Sequence, residues 1–359
     1  MIVITGAAGF LGSALAWHFN RLGRTDLWLV DELGRDQKYA NLAGLDFCDY
    51  AEKGEFLERL AAGPVPQVEA VFHLGACSST TESNASYLMR NNFAYTRALA
   101  KWCLARGVRM VYASSAATYG NGEHGYSEDS ALLPRLQPLN AYAMSKHAFD
   151  LWAWHAGALD KIAGLKYFNV FGPNEYHKGE MRSMALRAFE QIQNLGRVRL
   201  FRSERAEFGD GEQERDFIYV KDAVAMTAWF LDHPEANGIF NVGSGRARTW
   251  NDLARAAFAA LGRRPARVEY FSMPAELRDK YQYSTTAEMR RLAAAGGPAT
   301  RWTLETAVAD YIQNYLWPGH RRLTEVREAE PPPLPAAVPV APAVQRAAQT
   351  AEPRATGQE

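Results

Sequence analysis

The residues Gly6-Ala7-Ala8-Gly9-Phe10-Leu11-Gly12 stand between a short β-branched run at 2–4 and a stretch in which Leu11, Leu15, Phe19 and Leu22 fall at helical spacing. Three glycines between a strand and a helix permit a tight turn, close approach of the backbone to a bound group, and close helix–strand packing. Gly23 is placed to stop that helix. Further strand-like runs at 27–30, 68–73, 110–113 and 164–168 alternate with helix-period stretches. Such alternation implies parallel βαβ units, so the expected fold is α/β: a doubly wound parallel Rossmann sheet.

The same turn carries chemistry. A helix N-terminus offers free N–H groups and a positive dipole end, which suit a pyrophosphate. Asp31 ends the second run about 20 residues further on, where an acid can accept hydrogen bonds from an adenine-ribose hydroxyl. That favours NAD. Arg35, Lys38 and Lys53 can instead neutralise the 2′-phosphate of NADP, and NADP is the expected cofactor with NAD as the alternative.

Tyr142 and Lys146 stand at i and i+4, on one face of a helix. A phenol with its reference pKa of about 10 is a poor base near neutrality. A neighbouring cation, joined by a nicotinamide ring, should favour the phenolate. Upstream, Val111-Tyr112-Ala113-Ser114-Ser115 reads as a strand ending in hydroxyls, and Ser115 can hydrogen-bond a substrate oxygen whose charge changes during oxidation. A tyrosine and lysine at this spacing are often a surface pair. With the serine strand and the glycine turn they read as a hydride-transfer constellation.

Composition narrows the classes. Lys+Arg and Asp+Glu number 40 each, so net charge gives no support for non-specific binding to nucleic acid or to an anionic membrane. No apolar run reaches the roughly 18 residues a membrane span needs. Cys48, Cys77 and Cys103 show no metal-ligand spacing and read as reduced thiols, so no metal and a cytoplasmic location are expected. From about residue 172 the alternation loosens, with isolated strand candidates at 217–220 and 239–242. The expected organisation is a cofactor-binding domain over 1–171, with contributions from about 215–250, and a smaller α/β substrate-binding domain over 172–320. Residues 326–359 turn to Pro, Ala, Glu and Gln and are expected to form a disordered tail.

The glycine turn, Ser114-Ser115-Ala116-Ala117-Thr118-Tyr119-Gly120, the Tyr142/Lys146 pair, Phe168-Asn169-Val170-Phe171-Gly172-Pro173 and Arg215-Asp216-Phe217-Ile218-Tyr219-Val220-Lys221-Asp222 together resemble the extended short-chain dehydrogenases. Narrower segments resemble the ADP-heptose 6-epimerase family of lipopolysaccharide precursor synthesis. These are His73-Leu74-Gly75-Ala76-Cys77-Ser78-Ser79-Thr80-Thr81-Glu82, Ala113-Ser114-Ser115-Ala116-Ala117-Thr118-Tyr119-Gly120, Asn174-Glu175-Tyr176-His177-Lys178-Gly179 and Tyr281-Gln282. The resemblance runs from residue 1 to about 317.

That resemblance implies a tightly held NADP that takes a hydride from C6 of the heptose and returns it to the opposite face of the ketone. Two bases follow from it: Tyr142 with Lys146 on one face, and Lys178 on the other, with Ser115 as the fourth catalytic residue. It implies cofactor contacts from Gly6, Gly9, Phe10, Leu11, Gly12, Asp31, Glu32, Lys38, Lys53, Leu74, Gly75, Ala76, Cys77, Ser78, Asn91 (or its neighbour Asn92), Lys146, Val170 and Lys178. It implies substrate contacts from Ser115, Asn169, Glu180, Arg187, Phe201, Arg202, Ser203, Glu204, Arg215 and Tyr281, with the Arg215 guanidinium fork suited to a diphosphate. A homo-oligomer, a pentamer in form, is also implied. The sequence departs from the family pattern in a longer, more charged loop at 205–214 and in the side chains at Glu180 and Arg187. Ala116-Ala117 beside Ser115 lack the acid that a 4,6-dehydratase needs. The main rival is another NAD(P)-dependent nucleotide-sugar epimerase or reductase, such as a UDP-hexose 4-epimerase. A cofactor-sensing module without turnover would have little need of the Tyr142/Lys146 pair.

Overall fold

A computed structural model describes residues 1–63, 65–278 and 281–327. Strands β1 (Ile2–Thr5), β2 (Leu27–Asp31), β3 (Asp49–Glu52), β4 (Ala70–His73), β5 (Arg109–Ser115), β6 (Ile162–Tyr167) and, much later, β10 (Gly238–Val242) form one seven-stranded sheet in the order β10-β6-β5-β4-β1-β2-β3. Every pair in it is parallel. The strands read as unbroken apolar runs because helices cover both faces. Ile2, Ile4, Leu27 and Leu29 point into one core, and Val3, Trp28 and Val30 into the other. That alternation is the pleat of the sheet.

Helix α1 (Phe10–Arg21) leaves the glycine turn and packs on α7 (Val220–Trp229). It ends where expected: Gly23 has φ +78°, and the Arg24 N–H reaches back to the Phe19 carbonyl at 2.9 Å. Leu22 differs from the sequence reading; it falls past the last turn and is 62% exposed. Helix α2 (Lys53–Ala62) follows β3. Helices α3 (Ala85–Leu88) and α4 (Tyr95–Arg106) are joined by a π-helical turn, Met89–Ala94, and α5 (Ala141–His155) precedes β6.

Beyond the large sheet, β7 (Asn169–Phe171), β9 (Glu214–Tyr219) and β11 (Ala247–Thr249) form a three-stranded sheet, while β8 (Val198–Phe201) pairs with β12 (Val268–Phe271). Helices α6 (Met184–Leu195) and α8 (Trp250–Ala260) pack together beside them, α6 through Ala185, Leu186, Ala188, Phe189 and Ile192. The strand candidate at 239–242 is not isolated: as β10 it pairs with β6 at the edge of the large sheet. Of the tail expected at 326–359, residues 328–359 lie outside the described residues. Among the described residues no helix is long and apolar enough to cross a membrane.

Candidate active site

Chain order reverses between β1 and β4, which opens a crevice at the C-terminal ends of the strands. The glycine turn fills it. Gly6 has φ +69°, and a Cβ there would lie 2.6 Å from the Gly75 Cα; a Cβ on Gly12 would run into the Gly6 carbonyl. These contacts are backbone to backbone, so a side chain cannot be relieved by a rotamer change. Asp31 holds the turn from below, accepting from the Ala8 N–H at 2.8 Å, the Glu32 N–H at 2.7 Å and the Lys38 ammonium at 2.9 Å. On the other wall the Thr5 hydroxyl accepts from the Gly75 N–H at 3.2 Å and meets His73 Nδ1 at 2.6 Å, while His73 Nε2 meets the Thr96 hydroxyl at 2.8 Å. Burial lowers the His73 imidazole to about 3, so it sits neutral and bridges the two threonines.

Gly6, Gly12, Asp31, Lys38 and Gly75 border a cavity of about 620 Å³. All the expected cofactor residues line it except Glu32, Lys53 and Asn91. Lys53 instead pairs with Glu32 and donates to Asn91 Oδ1 at 3.0 Å. Arg35 is exposed. Asn92 is the buried member of the asparagine pair: it accepts from the Cys77 N–H and donates to the Cys77 carbonyl and to Ser145 Oγ, each at 2.9 Å. It thereby ties the Cys77 loop to α5.

Tyr142, Lys146 and Ser115 meet at the inner end of the same cavity. Asn140 caps α5, accepting from the Ala143 N–H at 2.8 Å, so Tyr142 lies in the first turn and Lys146 one turn on. Lys146 Nζ donates to the Ala113 carbonyl at 2.9 Å. Burial lowers this ammonium to about 8, with Asp150 and Cys77 acting in the opposite sense. The expected pull of Lys146 on the phenol is not what dominates. Burial raises Tyr142, with a hydrogen bond to Ser115 opposing it. Ser115 Oγ also accepts from the Ala117 N–H at 3.1 Å. Ala116 and Ala117 line the cavity just where a proton donor for elimination would stand.

Beneath this cluster lies a buried ion pair that the sequence reading did not single out. Lys166 on β6 and Asp150 on α5 are 3.3 Å apart, and neither is exposed. Asp150 accepts from the Tyr112 phenol at 2.9 Å and the Ser114 hydroxyl at 2.7 Å; Lys166 donates to Thr118 Oγ1 at 2.6 Å, whose hydroxyl donates to the Ser115 carbonyl at 2.7 Å. The available signal was spacing: Asp150 stands one helical turn beyond Lys146.

Lys178 comes from a different direction, on a 3-10 turn, Tyr176–Met181, that follows β7. Its ammonium is 5.1 Å from the centre of the Phe10 ring, and burial lowers its pKa while Glu175 opposes the shift. Lys178 lines the cofactor-sized cavity and also a second one of about 500 Å³, shared with Phe168, Asn169, Val170 and Met181. Asn169, Glu180, Arg187, Phe201 and Tyr281 line the second cavity as expected, joined by Arg182, Arg199, Trp250 and Phe271, which sequence reasoning missed. Glu180 pairs with Arg187 at 2.7 Å.

The remaining expected substrate residues stand back from that wall. The Arg202 N–H donates to the Phe271 carbonyl at 2.8 Å, the Ser203 N–H to Asp210 at 2.9 Å, and Glu204 pairs with Arg278 at 2.9 Å. The Arg215 guanidinium is buried, 4.9 Å from the Tyr281 ring centre and 5.5 Å from that of Trp250, and donates to the Glu214 carbonyl at 2.7 Å. In the charged loop, Arg205 and Phe208 pack on Tyr283. Among the described residues no cluster of His, Cys, Asp and Glu could hold a metal.

Residues 2–243 match the model of the NAD dependent epimerase/dehydratase family. The chain belongs to that family. It is 50% identical over 317 residues to an ADP-L-glycero-D-manno-heptose-6-epimerase of Nitratidesulfovibrio vulgaris (strain DP4), covering 88% of this chain and 98% of that one. It is 42% identical over 325 residues to the protein of the same name from Fusobacterium nucleatum subsp. nucleatum, again covering 88% and 98%. Among solved structures, the Helicobacter pylori ADP-L-glycero-D-manno-heptose-6-epimerase is 27% identical with a TM-score of 0.72, over 87% of this chain and 94% of that one. A UDP-N-acetylglucosamine 4-epimerase from Methanobrevibacter ruminantium M1 shares the fold at 22% identity and the same TM-score of 0.72, over 87% and 96%. At this level of likeness what the two structures share with this chain is the fold.

Proposed function

We propose that this epimerase interconverts ADP-D-glycero-β-D-manno-heptose and ADP-L-glycero-β-D-manno-heptose by oxidation at C6 and re-reduction on the opposite face, for lipopolysaccharide core synthesis. The observation that carries the reading is Lys178: one side chain, from a segment separate from Tyr142, lines both the dinucleotide-sized cavity and the cavity beside it. A nucleotide sugar in the second cavity would present its sugar where the two meet.

The glycine cradle fits a dinucleotide, since the backbone at Gly6, Gly12 and Gly75 leaves no room for side chains. The nicotinamide supplies a reversible hydride acceptor when bound. Tyr142 takes the C6 hydroxyl proton from one epimer, with Ser115 donating to the same oxygen and Lys146 supplying positive charge behind the phenol. Lys178, brought down in pKa by burial, exchanges the proton for the other epimer. Epimers differ in which side of C6 bears hydrogen, so a single base cannot serve both from one position. Asn169, Glu180, Arg187, Phe201 and Tyr281 would hold the nucleotide sugar, and Arg215, packed behind Tyr281 and Trp250, would supply positive charge toward its diphosphate.

NADP is the cofactor this reading favours. Lys38 and Lys53 stand over Asp31 and Glu32 as ion pairs, and the ammonium groups could turn to a 2′-phosphate. The reading further makes the protein a cytoplasmic homo-oligomer, pentameric in form, which light scattering on the purified protein would measure.

The test is to incubate the purified protein, with no added cofactor, with ADP-D-glycero-β-D-manno-heptose and follow C6 by proton NMR. A mixture with the L-glycero form is expected. No conversion, even with added NADP or NAD, would refute the assignment and move it to another nucleotide sugar.

A further inference from the structure

The chemistry above makes no use of Glu175, yet its side chain is fully buried three residues before Lys178. Its carboxylate takes four hydrogen bonds. Oε1 accepts from the Gly172 N–H at 3.3 Å, the Ser183 hydroxyl at 2.6 Å and the Tyr311 phenol at 3.1 Å. Oε2 accepts from the Ser183 N–H at 2.6 Å. Gly172 precedes the lysine-bearing turn and Ser183 follows it, so one carboxylate ties both stems together. Ser183 is also the N-cap of α6, accepting from the Leu186 N–H at 3.3 Å, which fixes the second stem to a whole helix. The Glu175 carbonyl accepts from the Lys178 N–H at 3.1 Å and closes the turn itself.

The neighbouring residue sets the same turn against the cofactor side. Asn174 is buried with φ +78°. Its amide donates to Ser13 Oγ, its backbone carbonyl accepts from Asn41 Nδ2, and its Oδ1 accepts from the Leu323 N–H, each at 3.0 Å. Ser13 belongs to the first turns of α1, directly after the glycine turn.

Within the turn, the Tyr176 phenol donates to the Arg321 carbonyl at 2.6 Å and Arg187 pairs with Glu180 at 2.7 Å. None of the six residues Tyr176–Met181 is fully buried, and Gly179 takes φ +52°. A short turn of this kind keeps one geometry only when its ends are fixed. Burying a carboxylate is costly, and here all four donors are neutral, so an apolar side chain would be the cheaper way to fill the space. What the charge adds is direction: charge-assisted bonds are shorter and roughly twice as strong as neutral ones.

We propose that Glu175 is the positioning residue for Lys178, its carboxylate locking both stems of the turn so that the ammonium is held over Phe10 at the junction of the two cavities. The proposal rests on the two-base reading. Glu175 touches neither cavity wall; it holds Lys178 through the turn, and its charge opposes the lowering of the ammonium's pKa by burial.

The test is a set of variants assayed for kcat, KM and retained cofactor with ADP-D-glycero-β-D-manno-heptose. Glu175→Ala should lower kcat on the order of 100-fold, as expected for a catalytic group displaced by about 1 Å, with KM and cofactor retention unchanged. Glu175→Gln, whose amide oxygen still accepts from Ser183, should recover kcat to within about 10-fold of wild type. In a Lys178→Met background, adding Glu175→Ala should cost less than about 3-fold, because the group it positions is already gone. Full kcat in Glu175→Ala, a loss confined to KM or cofactor, or losses that multiply in the double variant would each overturn the proposal. If Lys178→Met itself turns over at the wild-type rate, the two-base reading fails first and takes the proposal with it. If Lys178→Met is impaired and Glu175→Ala is not, only the proposal fails.

Discussion

Replacing Lys166 with Met should be among the most damaging single changes away from the cavity walls. Met keeps the unbranched chain and much of the volume, so the loss is electrostatic rather than a cavity. In the wild type, Lys166 Nζ is 3.3 Å from Asp150, donates to Thr118 at 2.6 Å and lies 4.4 Å from the Tyr119 ring centre. Lys166→Met leaves Asp150 buried with its charge uncompensated, and breaking such a pair costs about 3–5 kcal/mol. Asp150 keeps its bonds from Tyr112 and Ser114, which places the expected loss in the lower half of that range, about 3–4 kcal/mol. Adding Asp150→Asn removes the stranded charge while an amide oxygen can still accept from the hydroxyls. The double variant should therefore lose only about 1–2 kcal/mol, roughly 2 kcal/mol less than Lys166→Met alone. Urea unfolding followed by circular dichroism measures all three, and the slopes should match so that midpoints can be compared. A loss under about 1 kcal/mol in Lys166→Met, or a double variant no more stable than Lys166→Met, would refute the reasoning.

Three further outcomes follow from the site and the core. Gly12→Ala drives a methyl into the Gly6 carbonyl, so the purified variant should lose its bound cofactor, read by absorbance after denaturation; full retention would contradict the close-approach argument. Tyr142→Phe removes the phenolic proton carrier and should lower kcat by about 100- to 10,000-fold with cofactor still bound, and wild-type turnover would remove Tyr142 from the chemistry. Burial raises Asp222 to about 6 in the folded protein, so between about pH 4 and pH 6 the native state holds a proton that the unfolded chain has released. Stability from this group therefore rises as pH falls through that window, on the order of 2–3 kcal/mol in all. In Asp222→Asn that slope should vanish, and urea midpoints for both proteins across the window would show it; parallel curves would rule the assignment out.

The parts of the molecule legible in the sequence are those where one local rule decides the structure. The glycine turn is one, because a positive φ at Gly6 and backbone contact at Gly12 tolerate nothing else. The buried parallel strands are another, since burial on both faces turns β1 and β2 into continuous apolar runs. What escaped depends on partners distant in the chain. The strand at 238–242 looks isolated until β6 pairs with it. Asp150 and Lys166 read as an ordinary helix acid and strand lysine, and only the fold buries them together. Burial raises the Tyr142 phenol, and that burial comes from neighbours that only the fold brings in. Arg202, Ser203 and Glu204 follow Phe201 in sequence, but their bonds to Phe271, Asp210 and Arg278 appear only in the fold.

The central claim is that one hydrogen leaves C6 and returns to the same carbon on its other face. ADP-D-glycero-β-D-manno-heptose carrying deuterium at C6, converted in ordinary water, tests it directly by mass spectrometry of the product. The L-glycero product should keep its deuterium, since the cofactor stays bound between oxidation and re-reduction. Loss of the label to solvent would contradict the account, because the hydrogen would then be leaving C6 as a proton.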